Sequence, residues 1–183
     1  MKLKTLALLS LTLLVLGSCK KENTPQKKDY VFTYKVKIAK KITEPTIISG
    51  YYGKVMKYEG DFQPTMNPDT NQADPRKEPE VARNQILIYT ADQKEAIDEA
   101  AFTEDGITFY SLKKIKKAKA KPKYIITPNK SGFYQMDLGT GEYLVLLKIK
   151  KNRGYFNGGV RTLSATTGNL KELEMRVDYN ATF

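Results

Sequence analysis

From residue 30 to residue 39 apolar and polar side chains alternate. Tyr30, Phe32, Tyr34, Val36 and Ile38 stand against Val31, Thr33, Lys35, Lys37 and Ala39. A period of two is that of a strand with one buried face, and Glu44-Pro45 ends it. Residues 47–58, IISGYYGKVMKY, are rich in β-formers again, as is QILIYT at 85–90. The same reading predicts strands over 117–127, 133–138, 143–150, 160–165 and 171–179. In the last, Leu173, Met175, Val177 and Tyr179 alternate strictly with Glu172, Glu174, Arg176 and Asp178. Turn signals at Asn129 to Gly132, Gly139 to Gly141, Gly158-Gly159 and Gly168-Asn169 separate these strands. Only residues 92–102 show helical spacing, with Ala96, Ile97, Ala100 and Ala101 as a narrow apolar stripe. The pattern predicts a mainly β domain: a single antiparallel sandwich of about seven strands, with one short helix in an insertion.

Two stretches interrupt the strands. Residues 59–80 hold four prolines and almost no apolar side chains, so they read as a long loop. Within it DTNQAD has alternating oxygen ligands but lacks the glycine and the bidentate glutamate of a calcium loop; it reads as a polar turn, and no metal is expected. The second insertion, 91–123, is divided by charge. Residues 91–112 carry six acids and one base, whereas 113–123, KKIKKAKAKPK, carry seven lysines and no acid.

The first residues follow a different plan. Lys2 and Lys4 precede an apolar run over 5–16, too short to cross a bilayer, and LGSC follows. A charged start, an apolar centre and small residues make a secretory signal. Leu16-Gly17-Ser18-Cys19 resembles the bacterial lipobox. That resemblance implies a signal peptide over 1–18, diacylglycerol on the Cys19 thiol and an acyl group such as palmitate on the new N-terminus. Cys19 is the only cysteine, so the chain can form no internal disulfide. Residues 19–29, the lipidated cysteine followed by KKENTPQKKD, then read as a flexible basic tether, and 30–183 as the domain. Lys20 stands where an aspartate would signal inner-membrane retention, so the outer membrane is the expected location, on either face.

Charge changes the picture locally. Without Lys2 and Lys4 the formal charge falls from +11 to +9; seven of these nine lie in 113–123 and two in 20–29. The rest of the chain, with 18 basic and 18 acidic residues, is neutral. Lys113, Lys114, Lys116, Lys117, Lys119, Lys121 and Lys123 are therefore the candidate contacts for an anion or partner. Over 117–123 they fall on every second residue, opposite Ala118, Ala120 and Pro122, which reads as a lysine-faced edge strand. The acidic segment before it could neutralise this face, or the face could meet anionic lipid, an acidic glycan or an acidic protein. Export disfavours nucleic acid.

The centre of the chain, TPNKSGFYQMDLGTGEYLVLLKI, resembles the carboxypeptidase regulatory-like domain, a transthyretin-like β-sandwich of immunoglobulin-like type. Gly132 and Tyr134 fill the first part of its pattern; Leu138, Gly141 and Tyr143 fill the second. Gly53-Lys54-Val55 is similar to its opening strand, and Gly154-Tyr155 to a Gly-Tyr after its apolar strand. Pro128 and Asn129 depart from the usual Thr-Asp. The resemblance implies a module that is not itself catalytic and works beside another envelope protein, such as a transporter or secretion component.

The chemistry available narrows the classes further. With no histidine, Ser–His and Cys–His nucleophilic systems and His-ligated zinc are excluded, and no phosphate-binding glycine loop occurs. A pair of carboxylates is set by the fold and is not legible in one sequence. No enzyme activity and no cofactor are expected. Tyr51, Tyr52, Tyr155 and Phe156 could contact carbohydrate, although packing in the core is the commoner use of such residues.

Overall fold

Two runs leave no position for a polar side chain. Ile86, Leu87, Ile88 and Tyr89 are all buried, and so are the five residues 143–147. A strand with one wet face alternates; a strand buried on both faces does not. These two strands must therefore lie at the middle of a three-layer structure, and they do.

In the computed structural model, which describes residues 33–63, 66–67, 69, 72–73, 77–149 and 155–183, the chain begins with β1 (Tyr34–Lys37) and β2 (Gly50–Asp61). Three two-residue strands follow: β3 (Met66–Asn67), β4 (Gln72–Ala73) and β5 (Glu80–Val81). Next come β6 (Ile86–Thr90), a 3-10 turn (Ala91–Gln93), α1 (Lys94–Asp98), β7 (Ala101–Glu104), β8 (Ile107–Tyr110) and α2 (Leu112–Lys117). The chain closes with β9 (Tyr124–Thr127), β10 (Phe133–Met136), β11 (Gly141–Lys148), β12 (Tyr155–Ala165), β13 (Leu170–Glu172) and β14 (Met175–Thr182). These elements belong to one compact unit, Val31–Phe183. The expected signal peptide, Cys19 and the tether lie outside the described residues.

Seven strands form one sheet in the order β1-β9-β6-β11-β12-β8-β7. The second sheet is organised on β2. One edge of β2 pairs with β10 and then β5; the other pairs with β13 and then β14. Between the sheets lies the larger core, which includes Val55, Ile86, Ile88, Ile126, Tyr134, Met136, Val145, Leu147, Met175 and Val177. The outer face of the seven-stranded sheet carries a second core. Leu87, Tyr89, Leu144 and Leu146 pack there with Ile97 and Ala100 from the α1 region, and with Ile115 and Ala120 from α2 and the turn after it. The insertion at 91–123 is thus the third layer.

Several expectations need correction. The sheets are mixed, not purely antiparallel: β1 runs parallel to β9, and β13 and β14 run parallel to β2. The strands outnumber the seven expected, and there are two α-helices where one was expected. The helix predicted over 92–102 ends at Asp98, because Ala101 and Phe102 pair with β8. Gly158-Gly159 lies within β12 and not at a turn. The 59–80 loop is shorter than expected, since β2 continues to Asp61 and β5 begins at Glu80. Of the predicted first strand, all four residues of β1 are exposed, and among the described residues burial on its apolar face begins at Ile38. Its alternation is real, but β1 lies at the end of its sheet, where packing against the second sheet is incomplete: Val36, 37% exposed, still lines a groove with Met136 and Leu138.

The strand predicted over 171–179 is broken at Leu173 and Glu174, yet Met175 and Val177 enter the core as the alternation requires. Gly132, expected in a tight turn, has φ +74 there, and an added Cβ would sit 2.9 Å from the Val55 carbonyl oxygen. The buried Asn129 ties this turn together. Its Oδ1 accepts from the amides of Ser131 and Phe133, and its Nδ2 donates to the Ile42 carbonyl at 2.6 Å.

Candidate anion-binding surface

The lysine run does not form the predicted lysine-faced strand. Ser111 caps a helix, its hydroxyl accepting from the Lys114 amide at 3.4 Å, and Leu112 and Ile115 follow at the spacing of one helical face. Ile115 is 1% exposed and anchors α2 to the outer face of the sheet. Lys113, Lys114, Lys116 and Lys117 occupy the remaining, exposed positions. Three of them lie in the last turn, where cations complement the helix dipole.

The end of α2 is specified by hydrogen bonds. The Ala120 amide donates to the Ile115 carbonyl at 3.2 Å and the Lys119 amide to the Lys116 carbonyl at 3.0 Å. This paired closure is a Schellman motif, with Ala120 and Ile115 in contact with the same core. Its left-handed position is held by Lys119, at φ +60, where glycine is usual. The chain then extends. The Lys121 amide donates to the side chain of Gln93 at 2.8 Å, and the Lys123 amide to the Ile88 carbonyl at 2.7 Å. The strand proper starts at Tyr124 and lies between β1 and β6. The expected role of these lysines as insulation of a sheet edge is therefore wrong, because β9 is an interior strand.

The seven lysines divide into two groups. The Lys123 ammonium lies 5.5 Å from the ring centre of Tyr124 and 5.7 Å from that of Tyr143, so aromatic faces receive its charge. Among the described residues, Lys113, Lys114, Lys116, Lys117, Lys119 and Lys121 make no side-chain hydrogen bond or ion pair. Acids are near: Glu99 shares with Lys114 and Lys117 an open cleft of about 410 Å³, between α1 and α2. Within α1 an ion pair joins Lys94 to Asp98, which also holds the Lys94 ammonium pKa above its usual value. Glu99 thus lies beside these lysines without forming an ion pair with them among the described residues.

The other candidates are placed less favourably. Tyr51 is buried with its hydroxyl donating to the Ser164 carbonyl at 2.8 Å, and Tyr52 packs against the main core. The side chains of Tyr155 and Phe156 lie outside the described residues. An aromatic cluster not foreseen from the sequence joins Tyr58, Phe62 and Phe183, with ring centres 5.1–5.8 Å apart. Arg176 lies over Tyr58 and Lys77 over Phe62. These rings cover one another and do not form a flat row. Among the described residues no group of three or more acidic, histidine or cysteine side chains could hold a metal.

The sequence did contain the signal for α2. Ser111 before Leu112 and Ile115, at i and i+3, is a capped amphipathic turn; the alternation after Lys117 masked it. Comparison with family models, with curated proteins and with solved structures yields no match.

Proposed function

We propose that this chain is a lipid-anchored, non-catalytic binding module of a bacterial cell envelope, and that its contact surface is the lysine face of α2. Cys19 carries the anchor in this reading, in the outer membrane, and the partner is an acidic surface of another envelope protein. The observation that carries it is the set of six lysines, 113–121, exposed together on a rigid support and without partners of their own among the described residues. A charged face held by a capped helix on a packed core loses little conformational freedom on binding, and its potential steers an acidic partner. The lipobox supports export and lipidation, and the lack of histidine supports binding over catalysis. The similarity of residues 127–149 to carboxypeptidase regulatory-like domains supports the same role, with a transthyretin-like sandwich as the frame.

A second reading is favoured by two hydrogen bonds. The Thr33 hydroxyl donates to the Pro122 carbonyl and the Tyr34 amide to that of Lys123, both at 2.9 Å. The chain thus enters the domain beside the end of the lysine run, so an anchor at Cys19 would tether the domain at its basic end, near anionic lipid.

The test uses the Cys19→Ala chain, with and without Lys113→Glu, Lys116→Glu, Lys117→Glu and Lys121→Glu. Each is sedimented with envelope membranes, with protease-treated membranes and with phosphatidylglycerol vesicles. A protein partner predicts salt-sensitive binding to untreated membranes that protease and the substitutions both remove. Binding to vesicles that the substitutions remove would favour lipid. Equal sedimentation of both chains would overturn both readings.

A further inference from the structure

At the opposite side of β9 from β6 the seven-stranded sheet ends on β1, and among the described residues no strand pairs with its outer edge. The amides of Tyr34 and Ile38 donate to β9, at 2.9 and 3.2 Å. In a parallel pair the bonding residues alternate, so the N–H and C=O groups of Lys35 and Lys37 face away from the sheet. On β10 of the other sheet the side chain of Gln135 exchanges hydrogen bonds with Thr46, accepting from its amide at 2.9 Å and donating to its hydroxyl at 2.8 Å.

Beside the outer edge of β1 lies an apolar groove of about 210 Å³, lined by Val36, Ile47, Tyr124, Ile126, Met136 and Leu138 among others. Tyr34 is 55% and Val36 37% exposed, and Ile48, next to Ile47, is 80% exposed. Lys35 and Lys37 project from the other face of β1, and Lys40 and Lys41 follow in the next turn, all exposed. Asp137 is the acid that lines the groove.

We propose that β1 accepts an extended acidic segment of a partner protein as an eighth strand. This site is distinct from α2 and does not depend on it. Backbone groups of Lys35 and Lys37 supply the ladder, and the side chains set the sequence preference. Positions of the added strand on the core side meet Tyr34, Val36 and the groove, and take Val, Ile or Leu. Positions between them meet Lys35 and Lys37, and take Asp or Glu. The occupant is therefore a run of alternating apolar and acidic residues. Charge selects it over the nearer occupants. A second copy paired through β1 would set Lys35 and Lys37 against themselves, and the segment before β1 carries Lys20, Lys21, Lys27 and Lys28.

The probe is a fluorescent octapeptide alternating valine and glutamate, titrated by anisotropy against the full chain in detergent, with a valine–lysine peptide as control. The expected result is saturable binding of the glutamate peptide alone. Lys37→Pro removes an outward N–H without touching the β1–β9 bonds, and should weaken binding about tenfold or more at unchanged thermal stability. The pair Lys35→Glu and Lys37→Glu should transfer preference to the lysine peptide, whereas Lys113→Glu with Lys117→Glu should leave it in place. Absence of saturable binding, or binding that the β1 substitutions do not change, would overturn the proposal. So would a dimer that Lys37→Pro dissociates, which would make a second copy the occupant. Binding seen only after deletion of residues 20–32 would make it the chain's own segment.

Discussion

Tyr134 shows how one side chain can hold two features of the fold. It is fully buried, and its hydroxyl donates to the Leu173 carbonyl, at the break between β13 and β14. Burial pushes its pKa well above the ordinary tyrosine value. Above pH ~10 the unfolded chain gives up this proton while the folded chain keeps it, so the stability it contributes is complete below ~10 and is lost as pH rises further. Tyr134→Phe should therefore cost about 1–3 kcal/mol near neutral pH, through an unsatisfied Leu173 carbonyl. It should also flatten the alkaline limb of a plot of unfolding free energy against pH; a limb as steep as that of the parent chain would refute this. Next to this contact, Gly53 has φ +157, and a Cβ there would meet the Leu173 carbonyl oxygen at 2.1 Å. Gly53→Ala forces the two strands apart and should be among the most damaging single changes, about 3 kcal/mol or more by urea unfolding. The opposite is expected at Lys119, whose left-handed conformation costs a non-glycine residue about 1 kcal/mol. Lys119→Gly should raise the unfolding midpoint by a few degrees, because the relief of strain exceeds the added freedom of the unfolded chain.

For single elements, α2 is a cover before it is a charged surface. Ile115 closes the second core over Leu87, Tyr89, Leu144 and Leu146, and full burial of such a side chain contributes about 1.5–3 kcal/mol. Ile115→Ala should cost about 2–4 kcal/mol in thermal or urea unfolding, the lost transfer energy plus a cavity. Charge reversal at Lys113, Lys116 and Lys117 should cost far less, about 1 kcal/mol at most, because these side chains are exposed and only their favourable position at the helix end is lost. If reversal were as damaging as Ile115→Ala, the lysines would be structural and the proposed contact surface would lose its basis. This element was only half legible in the sequence. Ser111, Leu112 and Ile115 spelled a helix start, but Lys117 to Lys123 spelled a strand by period. A six-residue helix is too short for a full amphipathic pattern, and what holds it is the sheet beneath it. For β1 the error ran the other way: its rhythm was correct, yet Tyr34 and Val36 are only partly covered.

Taken as a whole molecule, the chain is a neutral framework with its charge concentrated at one corner. Lys123 pairs backbone with β6, β1 begins beside it, and the lysines of α2 lie just upstream. Binding that uses this corner should weaken steeply as salt rises from ~0.05 to ~0.5 M, since exposed charges are screened over ~10 Å or less. The unfolding midpoint, set mainly by the two apolar cores, should move little over the same range. Parallel salt titrations of binding and of thermal unfolding check both expectations.

The longer strands, most turns and the inward set Met175 and Val177 were fixed by short-range rules, because alternation and turn chemistry act over a few residues; β7 and β8, in the stretch expected as a helix-bearing insertion, were not. The concentration of charge in 113–123 and the absence of histidine chemistry were fixed too, as matters of composition. The uninterrupted runs at 86–89 and 143–147 mark a sheet buried on both faces, but the expected sandwich had no third layer to cover them. What no local rule could supply was the partner of each face. Tertiary structure decided that 91–123 is a layer and not a loose insertion, and that the lysine run turns from helix to extended chain over a core residue. It also placed β1 at the end of its sheet, with no further strand paired to it among the described residues. Burial is a property of contacts between distant segments, so the same alternating sequence makes a core strand in β14 and an exposed edge in β1.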